Sequence, residues 1–302
     1  MPGTHKAEHV RLRVEDIDAA ATFYEDVFGL SEISREDGAI YFGCGFDENY
    51  DLAIEAGDPG VEHVAIRATG ADEVDALEAR LEEEGVEATR TDGAEPGQET
   101  GVRFRLPSEM AVEIVTVEDK AYKSVTGPAL PDRGNLAPVD FNHVSFLSPC
   151  VKRDAEFLRD VLDFKISETV HEDWSGGAFL RRGPMHHDIA IFDMPGTPED
   201  HASFHHSAFT LRGLDHLVAL VDALAAAGTR LEFGLGRHHA GDNIYGYVRA
   251  PDGHRIELNV QMAELDEDTP TKSVDDLDTA VWAWKEDPSL PDSFVHGSGL
   301  VR

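Results

Sequence analysis

A repeat nested within a repeat limits the folds open to this chain. Residues 9–30 open on His9-Val10-Arg11-Leu12 and close on Phe23-Tyr24-Glu25-Asp26-Val27-Phe28-Gly29-Leu30. Residues 143–164 open on His143-Val144-Ser145-Phe146, and Phe157 and Asp160-Val161 repeat Phe23 and Asp26-Val27 at the same offset of 134 that separates His143 from His9. A second match pairs His63-Val64-Ala65-Ile66 with His206-Ser207-Ala208-Phe209, and Gly85 with Gly228, at an offset of 143. A third pairs Pro107 and Glu113-Ile114 with Pro251 and Glu257-Leu258, at 144. Such periodicity means that each unit is one supersecondary element whose apolar face a neighbour covers.

Four segments begin near residues 8, 62, 142 and 205. Each opens on a strand, as in the alternation Val10-Leu12-Val14. A helical stripe follows, Ala19, Ala20, Phe23, Val27 in the first segment and Val74, Leu77, Leu81 in the second. Gly85 and Gly228 stand where a helix C-terminus needs a left-handed residue. Asp37-Gly38 and Pro251-Asp252-Gly253 then punctuate short strands. The pattern is βαβββ four times, an α+β chain whose modules pair into two tandem domains with cupped mixed sheets. We expect an N-terminal domain over 1–135, a C-terminal metal-binding domain over 136–264, and an acidic extension over 265–302. The linker falls near 118–139, where Gly127-Pro128, Pro131 and Pro138 interrupt the chain, and Trp282 and Trp284 are the expected packing anchors of the tail.

Charge narrows the partners. Asp and Glu number 59 against 26 Lys and Arg, for a net charge of -33 spread along all 302 residues. An acidic surface of this kind opposes nucleic-acid binding, which needs basic patches. It also repels itself at low ionic strength and is relieved by screening, which points to a halophilic setting. No apolar run of about 18 residues suggests a membrane span, and Met1-Pro2-Gly3-Thr4-His5-Lys6 does not read as a secretory signal. Two cysteines, Cys44 and Cys150, lack zinc or redox spacing, so the expectation is a cytoplasmic protein with free thiols.

In paired βαβββ modules, strand faces converge. His143 opens the third module, His206 the fourth, and Glu257 lies on the last strand within Arg255-Ile256-Glu257-Leu258-Asn259. An inward carboxylate on such a strand is costly unless paired or metal-bound. Two imidazoles and a carboxylate on one face make a facial triad that leaves open positions on a ferrous ion.

Six motifs occur in one order: Asn142-His143-Val144, His186-His187-Asp188-Ile189-Ala190, His205-His206-Ser207-Ala208-Phe209, Gly236-Arg237-His238, Tyr245-Gly246-Tyr247 and Pro251-Asp252-Gly253-His254-Arg255-Ile256-Glu257. Over residues 8–262 the chain resembles the type I extradiol ring-cleaving dioxygenases of the vicinal oxygen chelate superfamily, the glyoxalase–bleomycin resistance fold. Its motifs are closest to the catechol 2,3-dioxygenases. The resemblance implies His143, His206 and Glu257 as ligands of Fe(II), or of Mn(II) on the same ligand set. It implies His187 as the acid–base histidine, and His238 and Tyr247 as hydrogen-bonding partners of a bound catecholate. It implies a catecholic substrate, O2 as co-substrate, ring opening next to the diol to a muconate semialdehyde, an N-terminal domain over 1–135 without catalysis, a place in aromatic catabolism, and a homo-oligomer, by analogy a tetramer. Two positions depart from homoprotocatechuate-type members: Ser145 replaces an Asn, and Phe233 replaces an Arg that serves a substrate carboxylate, which suits an uncharged catechol.

Other readings compete. Adjacent strand residues face opposite sides, so His186 could replace His187, and His239 could replace His238. Tyr247 could be a core aromatic, and His171, His201, His216 and His254 read as surface residues. His9, Glu55, His63 and Glu113 form a second set in the first half, the two-His, two-Glu complement of glyoxalase-type enzymes, while Tyr50 holds the position of His187. A glyoxalase-type lyase or isomerase and a non-catalytic small-molecule binder of the same fold are therefore the alternatives.

Overall fold

The computed structural model describes residues 5–45, 47–118, 136–275, 281–284 and 291–301. Most of the expected linker, 119–135, lies outside the described residues, as do 276–280 and 285–290 of the tail.

The four βαβββ modules are all present. The first runs β1 (Ala7–Val14), α1 (Ile17–Thr22), β2 (Ser31–Glu36), β3 (Ala39–Gly43), β4 (Leu52–Ala56). The second runs β5 (Gly60–Arg67), α2 (Ala71–Glu83), β6 (Ala88–Arg90), β7 (Gln98–Arg105), β8 (Ala111–Val117). The third runs β9 (Asp140–Leu147), α3 (Val151–Leu162), β10 (Lys165–Val170), β11 (Gly177–Arg181), β12 (Ile189–Phe192). The fourth runs β13 (Ser203–Thr210), α4 (Leu214–Ala226), β14 (Leu231–Arg237), β15 (Ile244–Arg249), β16 (Arg255–Val260). The first two modules share a mixed sheet, β2-β3-β4-β1-β5-β8-β7-β6; the last two share another, whose centre is β12-β9-β13-β16-β15. Within each, the opening strands of the two modules pair antiparallel, and each opening strand pairs parallel with its own module's last strand.

Local chemistry explains these boundaries. Gly85 and Gly228 end α2 and α4 at φ of 70° and 91°, left-handed values that glycine adopts without a Cβ clash. Asp37 and Gly38 join β2 to β3, both at positive φ, the geometry that matches a right-twisted hairpin. Helix α1 departs from its regular counterpart α3: it passes into a π-helical turn over Phe23–Val27, closed by Phe28 N–H donating to the Phe23 carbonyl at 2.8 Å. The buried stripe is Ala20, Ala21, Tyr24 and Phe28 with Phe23 beside it, so Ala19 is exposed and Val27 only half-buried, one position off the expected stripe. Phe28 then meets Phe209 edge to face, ring centres 5.2 Å apart, and one continuous apolar core joins the halves. Each such buried ring contributes roughly 2–3 kcal/mol.

Several tail and histidine expectations need correction. Trp282 and Trp284 are exposed, 37% and 69%, because their segment adds only a two-residue edge strand (Trp282–Ala283) to β14. The buried anchor of the tail is Phe294. His216 and His254 are buried, since each finds a backbone acceptor beyond its own module: Leu136 O for His216 and Arg13 O for His254. Among the described residues no helix is long and apolar enough to cross a membrane.

Candidate metal centre and pocket

Register builds the site. On β13, Ala208 lies opposite His143 of β9 and opposite Glu257 of β16. His206, two residues earlier, shares the Ala208 face. The small Ala208 side chain leaves a gap that the three polar groups surround. His143 Nε2 and His206 Nε2 are 3.2 Å apart, and Glu257 Oε2 stands 3.2 Å from the first and 3.0 Å from the second. Donors on ~2.1 Å metal bonds stand about 3.0 Å apart at right angles and about 3.4 Å apart at tetrahedral angles. These separations fit one face of an octahedron, and the donor set suits Fe(II) or Mn(II).

Hydrogen bonds aim the lone pairs. His143 Nδ1–H donates to Asn142 Oδ1 at 2.6 Å, which turns the unprotonated Nε2 inward. His206 is set by a two-step chain. The Phe294 carbonyl can only accept, so His205 Nε2–H donates to it at 2.6 Å. Burial, then the Arg255 charge, pushes His205 well below the usual imidazole range, so its Nδ1 is a bare acceptor. His206 Nδ1–H donates to that atom at 2.7 Å, leaving His206 Nε2 free to bind metal. Burial likewise drives the His206 pKa down to about 4. Burial would raise Glu257, but His143 and His206 more than offset it and hold the carboxyl well below its ordinary value. Asn243 Nδ2 donates to its outer Oε1 at 2.8 Å. The site thus turns two imidazole nitrogens and one carboxylate toward a common point.

His187, not His186, enters the pocket: its ring centre lies 4.2 Å from that of His143, while His186 turns away toward Glu168. Burial and the neighbouring histidines push His187 well below its usual pKa, so it is an uncharged base. His238 rather than His239 faces the pocket and pairs with the Tyr247 hydroxyl at 2.9 Å. Tyr247 lies directly across β15–β16 from Glu257, and burial followed by that carboxylate keeps the phenol protonated. The other wall is apolar: Phe179, Ala190, Phe192, Met194, Ala240 and Phe294. No Lys or Arg is among the described lining residues. Phe233 stands behind this wall, stacked on Tyr245 and Tyr247. Sequence reasoning missed Asn142, His205, Asn243 and Phe294; the first two adjoin ligands, which was the available signal.

The first half repeats the arrangement with one correction. His9, His63 and Glu113 meet as their counterparts do, around Ala65 in place of Ala208. Glu55 does not join them. It pairs with Arg13 in the β1–β4 register, four residues along the strand from His9, about 13 Å, and binds Arg11 and Arg13 instead. Glu95 takes the fourth position. Tyr50 fills the place of His187, its ring centre 4.3 Å from His9.

The Glyoxalase/Bleomycin resistance protein/Dioxygenase superfamily profile matches residues 6–114 and 140–258. The chain is 27% identical over 268 residues to the manganese-dependent 2,3-dihydroxybiphenyl 1,2-dioxygenase of Geobacillus genomosp. 3, covering 84% of each. Homoprotocatechuate 2,3-dioxygenase from Arthrobacter globiformis superposes with a TM-score of 0.85 at 26% identity, covering 100% of this chain and 94% of that one. The Mn(II)-bound glyoxalase from Novosphingobium aromaticivorans superposes with a TM-score of 0.81 at 27% identity, covering 95% and 93%. The relatives it matches include extradiol ring-cleaving dioxygenases, and the chain belongs to the Glyoxalase/Bleomycin resistance protein/Dioxygenase superfamily.

Proposed function

We propose that this chain is a non-haem extradiol dioxygenase that uses Fe(II), or Mn(II), at His143, His206 and Glu257. It opens an uncharged catechol carrying an apolar substituent next to its diol, with O2 as co-substrate, to a muconate semialdehyde. The observation that carries the reading is the three-donor face, with separations of 3.0–3.2 Å, in a largely apolar pocket that has no cationic side chain among its described lining residues.

The ion, when bound, supplies positive charge that acidifies a chelated diol and free positions for the diol and O2. His187 takes the proton of the diol hydroxyl nearer to it and returns it later, a task that a neutral buried imidazole suits. Tyr247 stays protonated and donates toward the substrate oxygens, with His238 orienting its hydroxyl. Phe179, Phe192 and Phe294 exclude water and receive the apolar substituent. A substrate carboxylate would meet no partner on this wall, an uncompensated cost of several kcal/mol.

The test is anaerobic loading with Fe(II) or Mn(II), followed by 3-alkyl- or 3-arylcatechol and air. A yellow ring-fission product with equimolar O2 uptake is expected, and carboxylated catechols should turn over far more slowly. No O2 uptake with any catechol would overturn the reading and favour a glyoxalase-type reaction.

A further inference from the structure

We infer that the N-terminal half holds a second divalent cation, coordinated by His9 Nε2, His63 Nε2, Glu95 Oε2 and Glu113 Oε2. The two imidazole nitrogens are 3.2 Å apart. Glu95 Oε2 stands 3.4 Å from His9 Nε2 and 3.6 Å from His63 Nε2; Glu113 Oε2 stands 3.8 Å and 3.2 Å from the same atoms. The spread centres near the roughly 3.4 Å edge of a tetrahedron with ~2.1 Å bonds, wider than the right-angled set of the C-terminal half.

The carboxylates are prepared as Glu257 is. In the C-terminal half Asn243 holds the outer oxygen of Glu257 and leaves the inner one facing the imidazoles. Here Arg11 holds Glu95 Oε1 at 2.6 Å, and Gln98 holds Glu113 Oε1 at 3.0 Å with Thr91 beside it. Each inner Oε2 points into the cluster. All four residues are nearly or fully buried, at 2%, 0%, 5% and 0% exposure. Two imidazoles and two carboxylates turned on one another, away from water, are costly without a cation among them.

The residue types select the ion. Mixed nitrogen and oxygen donors suit Zn(II), Mn(II), Fe(II) or Co(II) rather than Ca(II) or Mg(II). Tyr50 closes the side where His187 stands in the other half, with its hydroxyl on His9 and Glu95. Arg103 holds the Tyr247 position opposite Glu113, 3.3 Å from Glu113 Oε2 and from His63 Nε2. Tyr50 and Arg103 thus stand where His187 and Tyr247 flank the open site of the other half, and four protein donors complete a tetrahedron, so the site is read as a closed structural one. The competing arrangement has Arg11 and Arg103 supplying the positive charge with no ion between the carboxylates.

Counting metal by plasma emission after anaerobic dialysis against Mn(II), Fe(II) or Zn(II) decides between them. The inference expects two ions per chain in the wild type, one in Glu257→Ala, and none in Glu257→Ala combined with His63→Ala. One ion in the wild type and none in Glu257→Ala overturns the inference and leaves the proposed function standing. One ion in the wild type that survives Glu257→Ala but not His63→Ala overturns the proposed function instead. Should the His63 variant not fold, Co(II) loading of Glu257→Ala reports the site directly. The intense visible bands of four-coordinate Co(II) support the inference, and their absence overturns it.

Discussion

Replacing His205 by Leu tests whether a residue that touches no substrate governs metal affinity. In the wild type the His206 Nδ1 proton ends on His205 Nδ1 at 2.7 Å, and both rings are buried, at 4% and 2% exposure. Leucine fills the volume but offers no acceptor. His206 must then bury a bare N–H, or move its proton to Nε2 and lose the lone pair that binds metal. An unsatisfied buried donor costs about 1–3 kcal/mol. Loss of the group that orients a metal-bound histidine typically weakens binding about 10–100-fold, or ~1.4–2.8 kcal/mol. The two routes agree, so we expect a dissociation constant for Mn(II) raised about 10–100-fold. Competition against a fluorescent chelator measures it. His205→Gln, whose amide can accept from His206 and donate to the Phe294 carbonyl, should recover most of the loss. An unchanged constant in His205→Leu, or no recovery in His205→Gln, would refute the tautomer chain.

Other outcomes follow from the same geometry. His187→Phe should retain metal while kcat falls roughly 10²–10⁴-fold; unchanged turnover removes His187 from the mechanism. In the metal-free protein, His206 titrates near pH 4 when folded and near 6.5 when unfolded, so the unfolded state binds the extra proton between these values. Stability is therefore complete above about pH 6.5 and should fall by roughly 3 kcal/mol on acidification toward pH 4. His187 and His205, also lowered, act in the same direction, and urea unfolding across that range checks the sign. The net charge of -33 predicts a melting temperature that climbs from low to molar KCl, and a flat profile would end the halophilic reading.

How much was legible depended on what each residue interacts with. The modules, their glycine caps and the meeting of His143, His206 and Glu257 could be read because period-2 strands repeat at fixed offsets and carry polar groups where apolar ones belong. Glu95 could not be found by strand alignment, since it stands in the loop before β7. The offset of 143 does place it opposite His238, a polar residue at the same point of the other half. Glu55 misled because residue type matched while strand level did not. His216 and His254 looked superficial because their acceptors, Leu136 O and Arg13 O, are distant in the chain, and no local pattern encodes such partners. The π-helical turn of α1 was equally silent: the sequence keeps the same offset from α3 throughout, and nothing in it marks the Phe28 N–H bond to the Phe23 carbonyl.

Ala65 and Ala208 carry no chemistry, yet each makes a seat. They lie opposite the His and Glu of their own clusters, and both are buried, at 1% and 0%. A methyl group there is the floor of a cup; a branched side chain would rise into the volume the ion needs. Valine at either position would evict a cation while leaving every donor atom intact. In this chain, the smallness of that one residue is as much a requirement for a loaded half as the histidines beside it.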